Sequence, residues 1–190
     1  EYIPPTTEES AFGILASHYA EDGWNGICAI DQDIKTYCWG NNADFHGANT
    51  DGSLNEITLP AGISPKFAFA LEANAYMITD NDELFSWGVW NTSNRKSLGR
   101  AGVTGYNAPD RVTGFPAGLK VREVVGDHTE ACALLDNNDL YCWGENSYGE
   151  NGLNNTTSYD TPQGPIEGNV KSVHVGGSVH CIEKLDGKWY

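Results

Sequence analysis

The strongest constraint in this 190-residue chain is a pattern that returns along it. Four segments superimpose: residues 26–40 (GICAIDQDIKTYCWG), 74–88 (NAYMITDNDELFSWG), 130–144 (EACALLDNNDLYCWG) and 179–190 (VHCIEKLDGKWY). Each reads as an apolar run, a turn of Asp, Asn or Gly, and a second apolar run. Three of them close on Trp-Gly, at Trp39, Trp87 and Trp143, roughly 50 residues apart, which is the length of a propeller blade. Upstream of every hairpin stands another run with β character (AFGILASHY, KFAFALEA, KVREVVGD, VKSVHVGG). A Gly/Asn-rich loop and a Pro-containing approach follow each complete one. Every unit therefore supplies about four short strands. Sheets of this size bury their faces by stacking on one another, and the expected architecture is all-β: a β-propeller of four-stranded antiparallel blades, about three and a half repeats over residues 12–190. The Pro/Thr/Glu-rich start, residues 1–11, reads as an extended arm or linker.

The cysteines test this alignment. Cys28 and Cys38 stand ten residues apart, as do Cys132 and Cys142, at the same two places in their repeats. In the second repeat those places hold Tyr76 and Ser86, so both cysteines are missing together. That co-absence is what a cross-strand disulfide predicts, because one half alone would leave a free thiol. An even spacing across a three-residue loop puts both side chains opposite each other on one face of the hairpin. Zinc would favour Cys-x-x-Cys pairs, and the chain has none. Applied to the fourth repeat, the rule leaves Cys181 unpaired within the chain. It expects a partner ten residues further on, and hence a longer parent polypeptide, with a second chain or copy completing the propeller as the other closure.

The stretch GDHTEACALLDNNDLYCWGENSYGENGL (residues 126–153) resembles the repeat of the regulator of chromosome condensation family: Gly126, His128, Ala133, Leu134, Tyr141, Trp143, Gly144, Asn146, Gly149 and Gly152 fall in or close to place. The fourth repeat matches over GGSVHC and the first over YCWGNN, while the second departs most, with LEANAYMIT in place of the Gly-His segment. The resemblance implies a seven-bladed propeller of which this chain is a part, and a protein-binding face built from loops. Relatives include nuclear exchange factors for a small GTPase, secreted bacterial inhibitors of β-lactamases and plant receptor ectodomains. The nuclear activity does not carry over, since it goes with basic segments and a reducing compartment.

Charge narrows the partner classes. With 26 acidic against 11 basic residues the formal net charge is −15, a field that repels phosphate backbones and argues against nucleic acid. No apolar run approaches the ~20 residues of a membrane-spanning helix, and no cofactor motif is visible. Disulfides and the sequons at Asn91, Asn154 and Asn155 point to a secreted or extracellular-surface glycoprotein. The acidic turns at Asp31/Asp33, Asp80/Asp82 and Asp136/Asp139 lack the ladder of a calcium loop and read as turn caps, so no metal is expected. His128 and His180 read as repeat-matched structural residues, and no Ser or Cys nucleophile stands beside a histidine in a recognisable elbow, so no catalytic residue is assigned.

Trp39, Trp87 and Trp143 are expected in the core between blades. Trp24 and Trp90, outside the repeat pattern and read as loop residues, form with Tyr19 and Tyr148 the expected binding surface. The leading functional reading is a non-enzymatic, protein-interacting propeller segment. A glycan-binding lectin using the loop tryptophans and a secreted enzyme inhibitor are the alternatives.

Overall fold

The computed structural model describes residues 12–18, 26–40, 53–71, 74–90, 96–103, 105–126, 129–176 and 179–190. The expected arm over residues 1–11 lies outside them. Among the described residues there are fourteen strands and no helix. The first blade comprises β1 (Phe12–His18), β2 (Gly26–Asp31), β3 (Thr36–Gly40) and β4 (Asn55–Ile57). The second comprises β5 (Pro65–Ala70), β6 (Asn74–Thr79), β7 (Leu84–Trp90) and β8 (Gly105–Arg111). The third comprises β9 (Val121–Gly126), β10 (Glu130–Leu135), β11 (Leu140–Gly144) and β12 (Tyr159–Glu167). A two-stranded sheet of β13 (Val170–Gly176) and β14 (Val179–Lys184) follows. Within each four-stranded sheet consecutive strands are neighbours and antiparallel, the meander of a propeller blade.

The central hairpins explain why. In each, a three-residue loop closes on a residue in left-handed conformation: Asn138 (φ 67), Asp82 (φ 59) and Ile34 (φ 64). In the third blade Leu135 N donates to Asp139 O and Asn138 N to Leu135 O, both at 3.0 Å, and the same pair of bonds recurs at Thr79/Glu83 and Asp31/Lys35. This is the type I turn plus left-handed residue that sets a three-residue hairpin. The Asp31 carboxylate is spent on its own turn, accepting from Asp33 N and Lys35 N at 2.9 Å each. The turn residues also stitch blade to blade, since Asp82 O accepts from Val121 N and Asn138 O from Val170 N. At the corresponding place of the second blade stands Pro65, which has no N–H to offer.

Both faces of the second and third blades are covered by neighbours, which is why NAYMIT (β6) and EACALL (β10) are buried at every position. One face looks forward: Cys28 and Cys38 pack on Ala75, Met77 and Trp87 of the second blade, and Tyr76 and Ile78 pack on Ala131, Ala133 and Trp143 of the third. Cys132, Leu134 and Cys142 in turn meet Val173 and Ile182 of the last sheet. Cys28 bonds Cys38 and Cys132 bonds Cys142, each pair directly opposite in register with Cα atoms 4.2 and 4.0 Å apart.

Two expectations need correction. Trp87 and Trp143 are fully buried, but Trp39 is only half-buried, because it sits on the face of the first blade opposite to that packed on the second blade. His180 does not match His128: Cys132 faces Val125 and Cys181 faces His174, so Cys181 takes the place of Cys132 and His180 that of Ala131. Exposed Cys181 thus lies on the forward face of the last sheet.

Candidate binding surface

The loop between β11 and β12 is organised by one side chain. Asn146 is completely buried; its Nδ2 donates to Asn155 O at 2.8 Å and Thr157 O at 3.1 Å, while its Oδ1 accepts from Asn151 N at 2.8 Å. A side-chain amide bonded to three backbone groups holds a Gly- and Asn-rich segment in one shape. Tyr148 stands at the tip, 84% exposed, its N–H held by Glu150 Oε2 at 2.7 Å. Asn155 is engaged in its own turn, accepting from Thr157 N at 2.8 Å and donating to Leu153 O at 3.1 Å. Asn154 is exposed with φ 56, and its side chain makes no hydrogen bond among the described residues.

Below this loop, between the third blade and β14, opens a cleft of about 480 Å³ lined among others by Cys142, Tyr148, Asn151, His180 and Tyr190. Its floor holds a polar group: His180 Nε2 lies 3.4 Å from Glu130 Oε1 and His180 Nδ1 3.8 Å from Cys132 Sγ, with Thr129 Oγ1 donating to Glu130 Oε2 at 2.9 Å. Cys132, Cys142 and His180 cluster as metal ligands would, but the two sulfurs are bonded to each other and offer no thiolate.

A second buried cluster joins the second and third blades. Trp143 Nε1 donates to Ser97 O at 2.7 Å and lies 3.4 Å from Tyr76 Oη. Burial pushes the Tyr76 phenol well above its ordinary value, so the ring is a neutral spacer. On the rim, Asp82 receives Lys66 Nζ at 2.6 Å and Lys120 Nζ at 3.3 Å; those two ammonium groups hold its carboxyl below the ordinary 3.8.

Of the expected surface, Tyr148 and the sequon residues Asn154 and Asn155 share one loop. Trp24, Tyr19 and Asn91 lie outside the described residues. Trp90, read as a loop residue, instead ends β7, its backbone paired with Gly105. Asn146 was visible only as a motif position, and the burial of Glu130 against His180 had no sequence signal.

The family model for the regulator of chromosome condensation (RCC1) repeat matches residues 126–150, which run from the end of β9 through β11 into the Asn146 loop. Residues 126–150 are thus similar to a regulator of chromosome condensation repeat. The X-linked retinitis pigmentosa GTPase regulator of the dog (Canis lupus familiaris) is 24% identical over 133 residues, covering 68% of this chain and 13% of the regulator. Among solved structures, human WBSCR16 superimposes with a TM-score of 0.65 at 18% identity, over 86% of this chain and 44% of that one. RCC1 (Prp20) of yeast, in its complex with Kap60, superimposes with a TM-score of 0.60 at 17% identity, over 80% and 36%. The chain thus spans a small part of the curated relative and under half of either solved chain. The repeat sets the fold, a partial β-propeller, with the Asn146 loop following its Trp-Gly.

Proposed function

We propose that this chain is a non-enzymatic protein-interaction module of a secreted or cell-surface protein, and that it engages its partner through the loop between β11 and β12. The observation that carries this reading is Tyr148, an 84% exposed aromatic on a loop immobilised from beneath by Asn146. An exposed aromatic on a pre-shaped loop is the usual anchor of a protein interface, because little side-chain freedom is lost on binding. Glu145 and Glu150 flank it, and with a net charge of −15 the partner surface is a basic one. The yeast neighbour, an RCC1 propeller bound to Kap60, is a precedent for protein binding by this fold. The non-enzymatic part draws support from Cys132 and Cys142, whose sulfurs are tied up, and from His180, which is turned onto Glu130. Extracellular placement draws support from the two disulfides and from exposed Asn154.

A photo-crosslinking amino acid at position 148 tests the reading in material from the native source. The expected result is one discrete protein adduct that disappears when Glu145 and Glu150 are both changed to Lys. Absence of an adduct, or one indifferent to the charge reversal, would overturn it. Enzymatic release of N-glycans, lost in Asn154→Gln, is the expected sign of passage through a secretory pathway.

A further inference from the structure

The connections between blades form a second kind of surface, at the turn ends of the strands. Residues 59–63 (LPAGI) after β4 and 115–119 (FPAGL) after β8 make the same arch: Ile63 N donates to Pro60 O at 3.2 Å and Leu119 N to Pro116 O at 3.3 Å. Each arch stands over a cleft beside the hairpin turn of its own blade, about 260 Å³ in the first blade and about 360 Å³ in the second. The second cleft follows the rules of its turn. Asp82 takes the left-handed position, φ 59, with its carboxylate held by Lys66 and Lys120, and apolar Leu84 is buried in the seam behind it.

The first cleft breaks those rules twice. Ile34 takes the place of Asp82: its φ is 64, a conformation that a β-branched residue adopts only under strain, and its side chain is 56% exposed. Thr36 takes the place of Leu84, facing Ile30 as Leu84 faces Ile78 and Leu140 faces Leu134. It is buried, and its hydroxyl has no hydrogen-bond partner among the described residues, although buried hydroxyls are ordinarily satisfied. Both residues line the cleft. Each departure costs stability that the third blade, with Asn138 and Leu140 at these places, does not forgo. Two such independent costs converging on one cleft point to a site.

The lining selects the occupant. At about 260 Å³ the space falls below the ~300–1,000 Å³ of small-molecule sites and suits one inserted side chain. Ile34, Ile57, Leu59, Pro60 and Ile63 give it apolar walls. Glu56, the one carboxylate lining it, is already paired with Lys35 at 3.0 Å, which removes the counter-ion that a Lys or Arg tip would need. A Phe or Leu would leave the Thr36 hydroxyl unpaired. Tyrosine meets both conditions, with an apolar ring and a neutral hydroxyl at its tip. Beyond the Lys35–Glu56 pair the turn carries Asp31 and Asp33, so basic residues beside the tyrosine are favoured. We propose that this cleft receives a tyrosine side chain from a basic segment of a protein partner, its ring against Ile34 and Ile63 and its phenol hydrogen-bonded to Thr36. The proposal is independent of the Tyr148 reading.

Titration of the ¹⁵N-labelled 190-residue chain with acetyl-Lys-Tyr-Lys-amide, followed by amide chemical shifts, tests it. Saturable shifts at Ile34, Lys35 and Ile63 are expected, with a Kd of about 1 mM, and none at Glu83 or Leu119 of the second cleft. The Lys-Phe-Lys analogue should bind about fivefold more weakly, the net worth of one hydrogen bond. Two variants keep the fold out of question, since each removes one of the two costs. Ile34→Asn should weaken the tyrosine peptide about tenfold while melting no lower than the parent. Thr36→Val should erase the difference between the two peptides and leave the phenylalanine peptide unchanged. Absence of shifts at about ten times the expected Kd, equal binding of the two peptides to the parent chain, or equal shifts at the second cleft would overturn the proposal. So would p-cresol binding as tightly as the peptide, because the cleft would then be a site for small phenols and not for a protein segment.

Discussion

Replacing Trp143 measures how much of the propeller's cohesion sits in one seam. Its side chain is wholly buried, and an aromatic of this size removes about 150–250 Å² from water, worth roughly 4–6 kcal/mol at about 25 cal/mol per Å². Trp143→Ala would forfeit that and leave Ser97 O without its donor at 2.7 Å. The loss rivals the ~5–15 kcal/mol by which domains are stable, so this variant is expected to lose cooperative unfolding altogether. Trp143→Phe is the quantitative probe. It keeps the edge contacts to Tyr76 and Phe115, whose ring centroids both lie 6.1 Å away, but removes the N–H and part of the ring. An orphaned buried acceptor costs about 1–3 kcal/mol, and the gap left by the shortened ring adds about 1–2 kcal/mol. With a urea m-value near the upper end of ~1–3 kcal/mol/M, the midpoint should fall by about 0.7–1.7 M, read by far-UV circular dichroism. A fall under ~0.2 M with unchanged slope would refute the reasoning, since it would mean that the seam tolerates both the void and the unpaired carbonyl.

Three further outcomes are expected. Gly99→Ala, whose Cβ would press on Trp143 Nε1 at 2.8 Å, should cost clearly more than Gly102→Ala, where φ is 72 and nothing lies within 4 Å; the second pays backbone strain alone, ~1 kcal/mol, and equal melting temperatures would contradict this. Ile34 is β-branched and exposed at φ 64, in the turn position that holds Asp82 and Asn138 in the next two blades. Ile34→Asn should therefore stabilise by about 1 kcal/mol and raise the melting temperature by about 2–4 °C. Asp82, its carboxyl held low by Lys66 and Lys120, favours folding above its unfolded value of 3.8, and this contribution is lost as pH falls through the lower folded value. Asp82→Asn should flatten the stability–pH curve below about pH 5, and an unchanged acid limb would show that the pair is idle.

What the sequence disclosed and what it withheld follow from the range of the interactions concerned. Hairpins are local: turn chemistry at Asp136–Asp139, the Trp-Gly closures and the ten-residue cysteine spacing are all set within fifteen residues, and the propeller meander could be read from them. Trp39 was misjudged because burial of a repeat position depends on a neighbouring blade, which the repeat itself does not encode. The register of β14 was misjudged over His180 because the Gly-His motif is not aligned with the hairpin it precedes. Glu130 and the Ser97 carbonyl gave no signal, since each acquires its meaning across a seam between blades, from residues tens of positions away.

The second repeat shows how a seam can be rebuilt. Lacking cysteines, it looked degenerate in sequence, yet both replacements are buried and engaged. Ser86 Oγ donates to Leu98 O at 2.6 Å, tying β7 to the turn that cradles Trp143, and Tyr76 stacks on Phe69, with ring centroids 5.5 Å apart, while its hydroxyl lies against the indole. A disulfide at this place braces a hairpin internally and leaves a smooth face. Tyr and Ser brace the same hairpin by reaching across to the next blade and the adjoining loop. The forward face of the second blade thus exchanges a covalent link for an indole contact and a loop anchor. In the third blade the Cys132–Cys142 disulfide braces the hairpin internally, and that face meets the next sheet at His180, whose Nδ1 lies 3.8 Å from Cys132 Sγ.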